Sequence, residues 1–506
     1  MQRKAFLPTI NLSGWQGQLL AVIAGGLLTL SLAPYNIWPA GMLSCGLLLL
    51  CLKDCSNKQA ALRGWLFGLG LFGSGMSWVY VSIHNFGNAS AALASFLTVL
   101  FVMGLALFWL INAYIFQRFI SSKPLGQTLG FASLWVAGEW FRSWFLTGLP
   151  WLFLGYGHLD SALAGWAPVT GVYGISFIIA LSAAVFIHAW QQRSWRSPLL
   201  IITIALWLIG PALKAISWTK ASKHPEVKVA MVQANIGQNI KWNHDQFWPT
   251  LNLYNRMSQP LWATQDLIIW PESAVPGTYE KAQTFLDHMS KRASKHGSSL
   301  ITGLPSVHHS PAGRVAHNSI RVFGNGQGEY HKQRLVPFGE YVPLEGLLRG
   351  LIDFFDLPMS AFSSGGSKQA LLTAKGISLA PLICYEVVYP ELARKQAKQA
   401  DLLLTISNDA WFGDSIGPLQ HLEMAQMRAL ETGRYLIRST GGGVSAIVDE
   451  RGHITVRGQQ FSQEVITGIA QIREGSTPFL LLGSWPILSF SLGFCLWLAL
   501  GRKNAH

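Results

Sequence analysis

Cys384 is the residue of this 506-residue chain whose type and setting point most directly to chemistry. It ends the apolar run of residues 377–383 and is followed by Tyr385. It is the one cysteine between residues 218 and 479. The other cysteines lie in or beside long apolar segments: Cys45, Cys51, Cys55 and Cys495. A strand that delivers a thiol onto a turn exposes the sulfur and places backbone N–H groups beside it, so the pattern predicts a nucleophile.

A carboxylate and an ammonium group also stand next to apolar runs. Glu272 follows the run of residues 267–271, and Lys332 precedes a further run. A thiol is a weak nucleophile until it is deprotonated, and a buried Glu272 beside an ammonium could take its proton. Lys332 would supply that ammonium and stabilise an oxyanion, with the N–H of Tyr385 as a second donor. These groups predict acyl transfer through a thioester of Cys384, from an ester or an amide.

Simpler interpretations compete with this one. A lone cysteine after a strand is more often a small core residue, and an isolated Glu or Lys is usually a solvated charge. The joint pattern favours chemistry, and a serine-hydrolase site lacks its Gly-x-Ser-x-Gly turn. No metal and no cofactor is predicted, because the histidines lack a zinc-ligand spacing. They are interpreted as surface or local structural residues: His308, His309, His317, His331 and His421.

The elements that must position these residues divide into an apolar and a polar part. Half of all residues are hydrophobic and 12% are charged, against about 25% charged in a typical soluble protein. Most of the net charge of +13 lies in the apolar part, which argues against a nucleic-acid-binding face. Each apolar stretch is close to the roughly 20 residues that cross a bilayer as a helix. They are placed near residues 15–33, 37–52, 63–83, 90–117, 127–147, 168–190, 198–217 and 480–500.

Basic residues predict the orientation of these stretches. Lys and Arg flank every second connection, whereas residues 83–90 and 148–167 contain none. Because positive residues accumulate on the cytoplasmic side, both termini are predicted inside. The first stretch is predicted to be retained, since no small-residue cleavage site follows it. The predicted domains are a seven-helix membrane domain, an outer domain, and an eighth helix with a cytoplasmic tail: residues 1–217, 218–479 and 480–506.

Two charges interrupt the fifth apolar stretch. Glu139 and Arg142 are three residues apart, on one face of a helix. Charges at membrane depth are costly and usually paired. A structural pair that orients neighbouring helices is favoured over a contact to a lipid headgroup, and both interpretations stay open at this point.

The polar part alternates strand and helix patterns, which indicates an α/β domain. Predicted strands lie at residues 227–233, 267–270, 299–303, 318–323, 377–383, 401–406, 443–448 and 465–469. Predicted helices lie near residues 243–259, 281–296, 390–399 and 418–433. The three glycines at 441–443 are interpreted as a turn into a strand rather than a phosphate-binding loop.

Several short segments, together with eight apolar stretches, resemble the bacterial apolipoprotein N-acyltransferases, a membrane-bound branch of the nitrilase superfamily. The matching segments are Val232-Gln233-Ala234-Asn235-Ile236 with Trp242, Trp270-Pro271-Glu272, Lys332 with residues 335–343, Cys384-Tyr385-Glu386, Ser407-Asn408-Asp409-Ala410-Trp411-Phe412, and Gly148-Leu149-Pro150-Trp151. The resemblance covers nearly the whole chain, and the triad positions show no departure from it.

The resemblance implies a nitrilase-like αββα sandwich that faces the periplasm, beside a multi-span helical domain in the inner membrane. It implies a ping-pong reaction in which the nucleophile takes an acyl chain from a phospholipid, typically phosphatidylethanolamine. The thioester would then acylate the α-amine of the diacylglyceryl-cysteine of an apolipoprotein. It also implies these roles: Glu272 as base, Lys332 as charge stabiliser and Cys384 as nucleophile, Glu340 and Glu386 in support of the triad, and Trp242, Tyr385 and Trp411 around the pocket.

The apolar segment 347–359 lies between Lys332 and Cys384 and has two interpretations. It is either a core helix of the sandwich or a mobile gate that dips into the bilayer and guides acyl chains. Residues 363–367, Ser-Ser-Gly-Gly-Ser, follow it and would act as a flexible hinge in the second case.

Two other functions compete with lipid acylation. A membrane-tethered amidase acting on a small amide would use the same triad, but one membrane helix would suffice to anchor it. A scaffold or transporter with an inert α/β domain is disfavoured, because the apolar part holds one charged pair and no evident polar pathway.

Overall fold

A computed structural model describes residues 14–87, 89–310, 313–342 and 362–503 of the chain. Apolar helices come first, two β-sheets with flanking helices follow, and a last apolar helix ends the described part. The order of these elements agrees with the predicted division into an apolar and a polar part.

The N-terminal stretches form helices at each predicted place. They are α1 (Trp15–Leu30), α2 (Pro39–Leu52), α3 (Asn57–Gly75), α4 (Ala91–Ile115), α5 (Phe131–Arg142), α6 (Ala167–Gln192) and α7 (Pro198–Ala215). Within the described ranges, three helical segments are long and apolar enough to cross a membrane, namely Ala91–Ile120, Ala162–Gln192 and Pro198–Ala215. Helix α3 and the helical segment Trp78–Phe86 meet at a bend of 53°, and if they are taken as one span they form a fourth segment of this kind. The fifth predicted stretch was too long, since its helix ends at Arg142 and a separate 3-10 turn follows.

Glu139 and Arg142 have structural partners inside the helical domain. Glu139 accepts hydrogen bonds from the Trp135 indole and the Leu154 N–H, 3.0 and 2.8 Å away. Arg142 donates to the backbone carbonyls of Leu149 and Trp151, and the side chains of Glu139 and Arg142 are both buried. The pair therefore holds the loop after α5 against the helix, which supports the structural interpretation.

The polar part folds into a two-sheet sandwich. Its strands are β1 (Thr219–Gln233), β2 (Leu267–Ile269), β3 (Ser299–Ser310), β4 (Gly313–Gly324), β5 (Gly326–Gln327), β6 (Glu329–His331), β7 (Leu372–Ala374), β8 (Ile377–Ile383), β9 (Leu402–Ser407), β10 (Leu436–Thr440), β11 (Ala446–Val448), β12 (Ile454–Arg457) and β13 (Glu464–Gly475). In the described residues, one sheet has the order β13-β1-β2-β3-β4-β6 and the other β12-β11-β10-β9-β8-β7-β5. Strands β1, β2 and β3 are mutually parallel, as are β8, β9 and β10. Parallel strands are buried on both faces and appear as continuous apolar runs, which explains their sequence pattern.

Helices cover both outer faces of the sandwich, and a final helix follows it. They are α8 (Phe247–Ser258), α9 (Tyr279–His296), α10 (Pro390–Ala397), α11 (Gly417–Thr432) and α12 (Trp485–Lys503). One apolar core lies between the sheets and includes Met231, Ile383 and Leu404. A second core joins α8 and α9 to the first sheet. The layers are therefore α, β, β and α, which confirms the predicted fold class.

The outer helix α11 packs against the helical domain instead of solvent. Gln420 on this helix accepts a hydrogen bond of 2.7 Å from the Trp151 indole. Glu423, one turn further on, accepts the N–H of Ala33 at 3.0 Å. Residues of α11 and of the membrane helices share one continuous apolar core. The sandwich is thus docked on the helical domain through the layer that follows the nucleophile in sequence.

Candidate active site

Glu272 stands three residues after the end of β2 and is held through both carboxylate oxygens. Its Oε1 accepts the Asn318 side-chain N–H at 2.7 Å, and its Oε2 accepts the Asn408 backbone N–H at 2.7 Å. Asn318 belongs to β4, whereas Asn408 follows β9 of the other sheet. The carboxylate is 5% exposed and lies where the two sheets meet. The carboxyl ends of parallel strands gather side chains in this way in α/β folds.

Lys332 directly follows β6 and places its ammonium between two carboxylates. The Nζ atom lies 2.9 Å from Glu340 Oε1 and 3.5 Å from Glu272 Oε1, and the side chain is 1% exposed. Burial alone would lower the pKa of this ammonium, but the charges of Glu340 and Glu272 outweigh it and raise the pKa above its usual value. Lys332 is therefore a fixed positive charge beside the base.

Cys384 follows β8 in a left-handed backbone conformation, with a φ of 51°. The residue as a whole is partly exposed. Burial raises the pKa of the thiol and the charge of Glu272 raises it further, whereas Lys332 opposes both. The resting sulfur is therefore protonated, and attack on a carbonyl requires that a base remove the proton at that moment.

Glu386 ties the nucleophile turn to the lysine loop. Its Oε2 accepts the Ile383 N–H at 2.8 Å, and its Oε1 accepts the Tyr330 hydroxyl at 2.9 Å and the Gln333 N–H at 2.6 Å. Burial raises the pKa of Glu386 to about 7, while these backbone donors favour the carboxylate. Glu386 thus holds the segments of Cys384 and Lys332 at a fixed separation.

Glu340 is the second support predicted for the triad. It accepts the Lys332 ammonium and the Asn318 amide on one oxygen, and the Val336 N–H at 2.8 Å on the other. Asn318 therefore donates to both Glu272 and Glu340. The two predicted supporting carboxylates lie on the framework that joins the three triad residues.

The three predicted aromatic residues lie in different surroundings. The Tyr385 hydroxyl donates to the Gly148 carbonyl at 2.8 Å, so this side chain contacts the helical domain. The Trp411 ring meets the Phe86 ring edge-on at 5.8 Å, at the border of that domain. Trp242 follows Lys241, whose ammonium donates to the backbone carbonyl of Glu272 at 3.1 Å. Their role around an acyl pocket stays a prediction.

His421 was interpreted as a surface or local structural residue, and its surface placement is wrong. It is fully buried, and its Nε2 lies 3.1 Å from the Cys384 carbonyl. Helix α11 presents it beneath the nucleophile, beside Asp409. The sequence indicated this site only through Asp409, which belongs to the segment 407–412 that carries the family resemblance. His421 lies outside that segment.

Cys384, Asp409 and His421 also form the one group of potential metal ligands found in the described ranges, with ligand atoms within 4.8 Å of one another. Asp409, however, already pairs with the buried guanidinium of Arg438 and accepts the Ser407 hydroxyl. A guanidinium at the carboxylate competes with a cation for the same oxygens. We therefore interpret the group as a hydrogen-bonded network.

The segment 347–359 lies outside the described residues, but the run after it is described. The Ser363 N–H donates to the Ala316 carbonyl, and the Gly365 N–H donates to the Lys332 carbonyl, each at 2.7 Å. The Ser364 hydroxyl donates to the Gln333 carbonyl at 2.7 Å. These bonds attach residues 363–365 to β4 and the lysine loop, and a hinge at residues 363–367 stays a prediction.

Comparison with known proteins adds two family matches. Residues 24–185 match the Apolipoprotein N-acyltransferase N-terminal domain, and residues 228–476 match Carbon-nitrogen hydrolase. The chain is 49% identical to the apolipoprotein N-acyltransferase of Pseudomonas syringae pv. tomato, over 98% of each chain. It is 47% identical to that of Azotobacter vinelandii, over 98% of this chain and 97% of the relative. For the protein of the same name from Photobacterium profundum, the identity is 40% over 94% and 93%.

Proposed function

We propose that Glu272, Lys332 and Cys384 catalyse acyl transfer in this chain, which belongs to the apolipoprotein N-acyltransferase family. The observation that carries the proposal is the convergence of these three side chains from three separate segments. The base and the fixed charge lie 3.5 Å apart, and the thiol follows a strand of the facing sheet. Chemistry by a cysteine thioester needs a nucleophile, a base and an oxyanion partner in one place.

The first half-reaction forms the thioester. Glu272 takes the proton of the Cys384 thiol as Sγ attacks the ester carbonyl carbon of a phospholipid. Lys332 and the Tyr385 N–H stabilise the resulting oxyanion. The carbon–oxygen ester bond then breaks, the proton passes from Glu272 to the leaving alkoxide, and a lysophospholipid departs.

The second half-reaction consumes the thioester. The α-amine of an S-diacylglyceryl-cysteine at the N-terminus of an apolipoprotein attacks the thioester carbonyl. The carbon–sulfur bond breaks, an amide forms, and the proton lost by the amine reaches the Cys384 sulfur by way of Glu272. Atoms balance without a cofactor, and phosphatidylethanolamine is the donor that we propose.

The membrane helices suit substrates that are lipids. Moving an acyl chain from a bilayer into water costs about 0.8 kcal/mol for each CH₂ group. A sandwich docked on membrane helices avoids that cost. We propose that residues 1–217 contribute seven crossings, that residues 218–479 face the periplasm, and that residues 480–506 return to the cytoplasm across the inner membrane.

The amidase alternative receives less support. The relatives that match 98% of the chain are named for apolipoprotein acylation, and the helical domain has a family match of its own. A small-amide hydrolase would leave that domain without a function beyond anchoring.

The nucleophile is tested with Cys384→Ala and Cys384→Ser, with Cys495→Ala in the last helix as the matched control. Purified protein is incubated with phosphatidylethanolamine vesicles and analysed by intact mass spectrometry and by lysophospholipid release. We expect an acyl adduct on the parent and on the control, and none on the two Cys384 variants. An adduct mapped to another residue, or normal turnover by Cys384→Ala, would contradict the proposal.

The orientation is tested by cysteine labelling in whole cells, in a Cys384→Ala background. A cysteine at Asp160 should react with an impermeant maleimide from outside. Cysteines at Lys58 and Arg193 should react only after the membrane is opened. All three positions are exposed. Labelling of Lys58 from outside would reverse the topology and remove the sandwich from its proposed compartment.

A further inference from the structure

A buried network lies beneath the nucleophile and has no role in the steps above. It consists of Asp409, His421 and Arg438, each at most 1% exposed. They come from the turn after β9, from helix α11 and from strand β10. Arg438 and Asp409 are in direct contact, and His421 Nδ1 lies 3.1 Å from each of them. Fully buried charges are expensive to place, so a network of this kind needs an explanation.

The hydrogen-bond direction at His421 follows from its partners. Its Nε2 lies 3.1 Å from the backbone oxygen of Cys384, and a carbonyl oxygen can only accept. Nε2 therefore carries the proton whatever the charge of the ring. Burial and the positive charge of Arg438 lower the pKa of His421, and the carboxylate of Asp409 opposes both. The contacts of Nδ1 with Asp409 and Arg438 hold the ring so that Nε2–H faces the carbonyl of Cys384.

That carbonyl belongs to the peptide plane that contains the Tyr385 N–H. In a planar trans peptide, the C=O and the following N–H point in opposite directions within one rigid plane. Cys384 adopts a φ of 51°, a left-handed conformation that residues with a side chain adopt rarely and at a cost. Tyr385 is the second residue of the 3-10 turn Cys384–Val388, and the first N–H groups of such a turn have no partner within it. The direction of the Tyr385 N–H is therefore set by whatever holds the Cys384 carbonyl.

We propose that His421 is a positioning residue for the acylation of Cys384. Its Nε2–H holds the Cys384 carbonyl and so aims the Tyr385 N–H at the oxyanion. Arg438 and Asp409 act indirectly, because they hold the imidazole of His421 in place. The inference deepens the proposed function and rests on Cys384 as the nucleophile, but it does not depend on which lipid donates the acyl chain.

Two amide variants and one apolar variant separate this role from general packing. In His421→Gln, the side-chain amide reaches the position of Nε2 and can still donate to the carbonyl. In His421→Asn, the same amide is one carbon shorter and cannot. His421→Leu removes the donor at similar volume. His296→Gln, at the exposed end of α9, is the control for the substitution itself.

Each variant is measured as the full-length protein in detergent, with two reagents for the same thiol. The p-nitrophenyl ester of palmitic acid acylates Cys384 through a tetrahedral oxyanion, and nitrophenolate release gives the rate of a single turnover. Iodoacetamide alkylates the same sulfur by direct displacement, without an oxyanion, and mass spectrometry gives its rate. Only the first reaction depends on the direction of the Tyr385 N–H.

We expect acylation by His421→Leu and His421→Asn to slow by about 10- to 100-fold, the range expected when an oxyanion donor is misaimed rather than removed. The loss should fall on the single-turnover rate constant at saturating ester, and the ester concentration that gives half of that rate should stay unchanged. Alkylation should stay at the parental rate, and His421→Gln should recover most of the acylation rate. Parental acylation by His421→Asn would overturn the proposal, as would a parallel loss of alkylation or a failure of His421→Gln to recover.

Two further measurements keep these outcomes distinct. Thermal unfolding in the same detergent identifies a variant that does not fold. If His421→Leu does not fold, the comparison of His421→Gln with His421→Asn still tests the proposal. If the parent reacts with the nitrophenyl ester but not with phospholipid, the proposed donor is wrong, and the comparison between variants still decides the role of His421.

Discussion

Replacement of Lys332 by Met tests the charge balance at the centre of the site. The ammonium lies 2.9 Å from Glu340 and 3.5 Å from Glu272. Asn318 donates to both carboxylates, at 2.8 and 2.7 Å, and so holds them together after the lysine is gone. Lys332→Met would leave two buried carboxylates facing each other across one amide. Methionine matches the length of the lysine stem, so packing is little disturbed.

Removal of one partner from a buried ion pair costs about 3–5 kcal/mol, because the remaining charge stays desolvated. Two carboxylates in one site reduce this cost by sharing a proton, which raises one of the two pKa values. A carboxyl whose folded pKa is raised favours folding below the unfolded pKa of about 4.3, and that contribution is lost as the pH rises towards the folded pKa. The variant should therefore lose stability relative to the parent as the pH rises above about 4.3.

The double variant Lys332→Met with Glu340→Gln separates stability from catalysis. The Glu340→Gln change removes one of the two negative charges, and the new amide oxygen can still accept the Val336 N–H. We expect the free energy of unfolding in detergent to recover by most of the roughly 3–5 kcal/mol. Thioester formation should not recover, because the oxyanion still lacks its positive partner. The reasoning is refuted if Lys332→Met unfolds like the parent at about pH 8, or if the double variant regains acylation.

Two predictions concern the contact between the sandwich and the helical domain. Tyr389→Phe removes a hydroxyl that donates to the carbonyls of Thr147 and Gly148, at 3.0 and 3.1 Å, and should cost about 1 kcal/mol. The midpoint of thermal unfolding should fall, and an unchanged midpoint would contradict that contribution. Burial raises the pKa of Glu423 to about 8. The folded protein therefore loses the stability contributed by the protonated Glu423 as the pH rises from about 4.3 to 8. Glu423→Gln keeps an acceptor for the Ala33 N–H and should remove that loss, and midpoints measured across the pH range must therefore converge at low pH and separate at high pH.

The positions of the proposed catalytic side chains along the fold could be predicted because their strands are buried. The run ending at Ile383 was predicted as residues 377–383 and is observed as Ile377–Ile383. A strand covered on both faces forms a nearly continuous apolar run, and the end of that run marks the end of the strand. The same rule placed Glu272 at the end of β2, one residue beyond the predicted strand and its proline.

Strands with an exposed part were predicted too short. Strand β1 begins at Thr219, eight residues before the predicted start at residue 227. Residues 220–226 are largely exposed, and Lys220, Ala221 and Glu226 among them pair with β13. The hairpin of β3 and β4 likewise extends beyond the predicted strands of residues 299–303 and 318–323. Polar residues on an open edge carry no alternation that distinguishes a strand from a loop.

Strand β10, Leu436–Thr440, was missed for a different reason. Its sequence Leu-Ile-Arg-Ser-Thr is fully buried, yet three of its five residues are polar. Arg438 can occupy this strand only because Asp409 lies opposite on the adjacent turn. A pairing between residues 29 positions apart is a property of the assembled sandwich, and no local pattern encodes it. The three glycines that follow do form the predicted turn.

Helix α11 links the geometry of the nucleophile to the docking of the two domains. His421 holds the Cys384 carbonyl from this helix. The preceding residue, Gln420, accepts an indole N–H of the helical domain, and Glu423 accepts a backbone N–H from the same domain. A helix is rigid over one turn, so a shift of its docked face must move the imidazole with it. A peptide plane held in a strained conformation needs support from surrounding contacts. The contact with the helical domain therefore contributes to the active-site geometry as well as to the location of the site at the membrane.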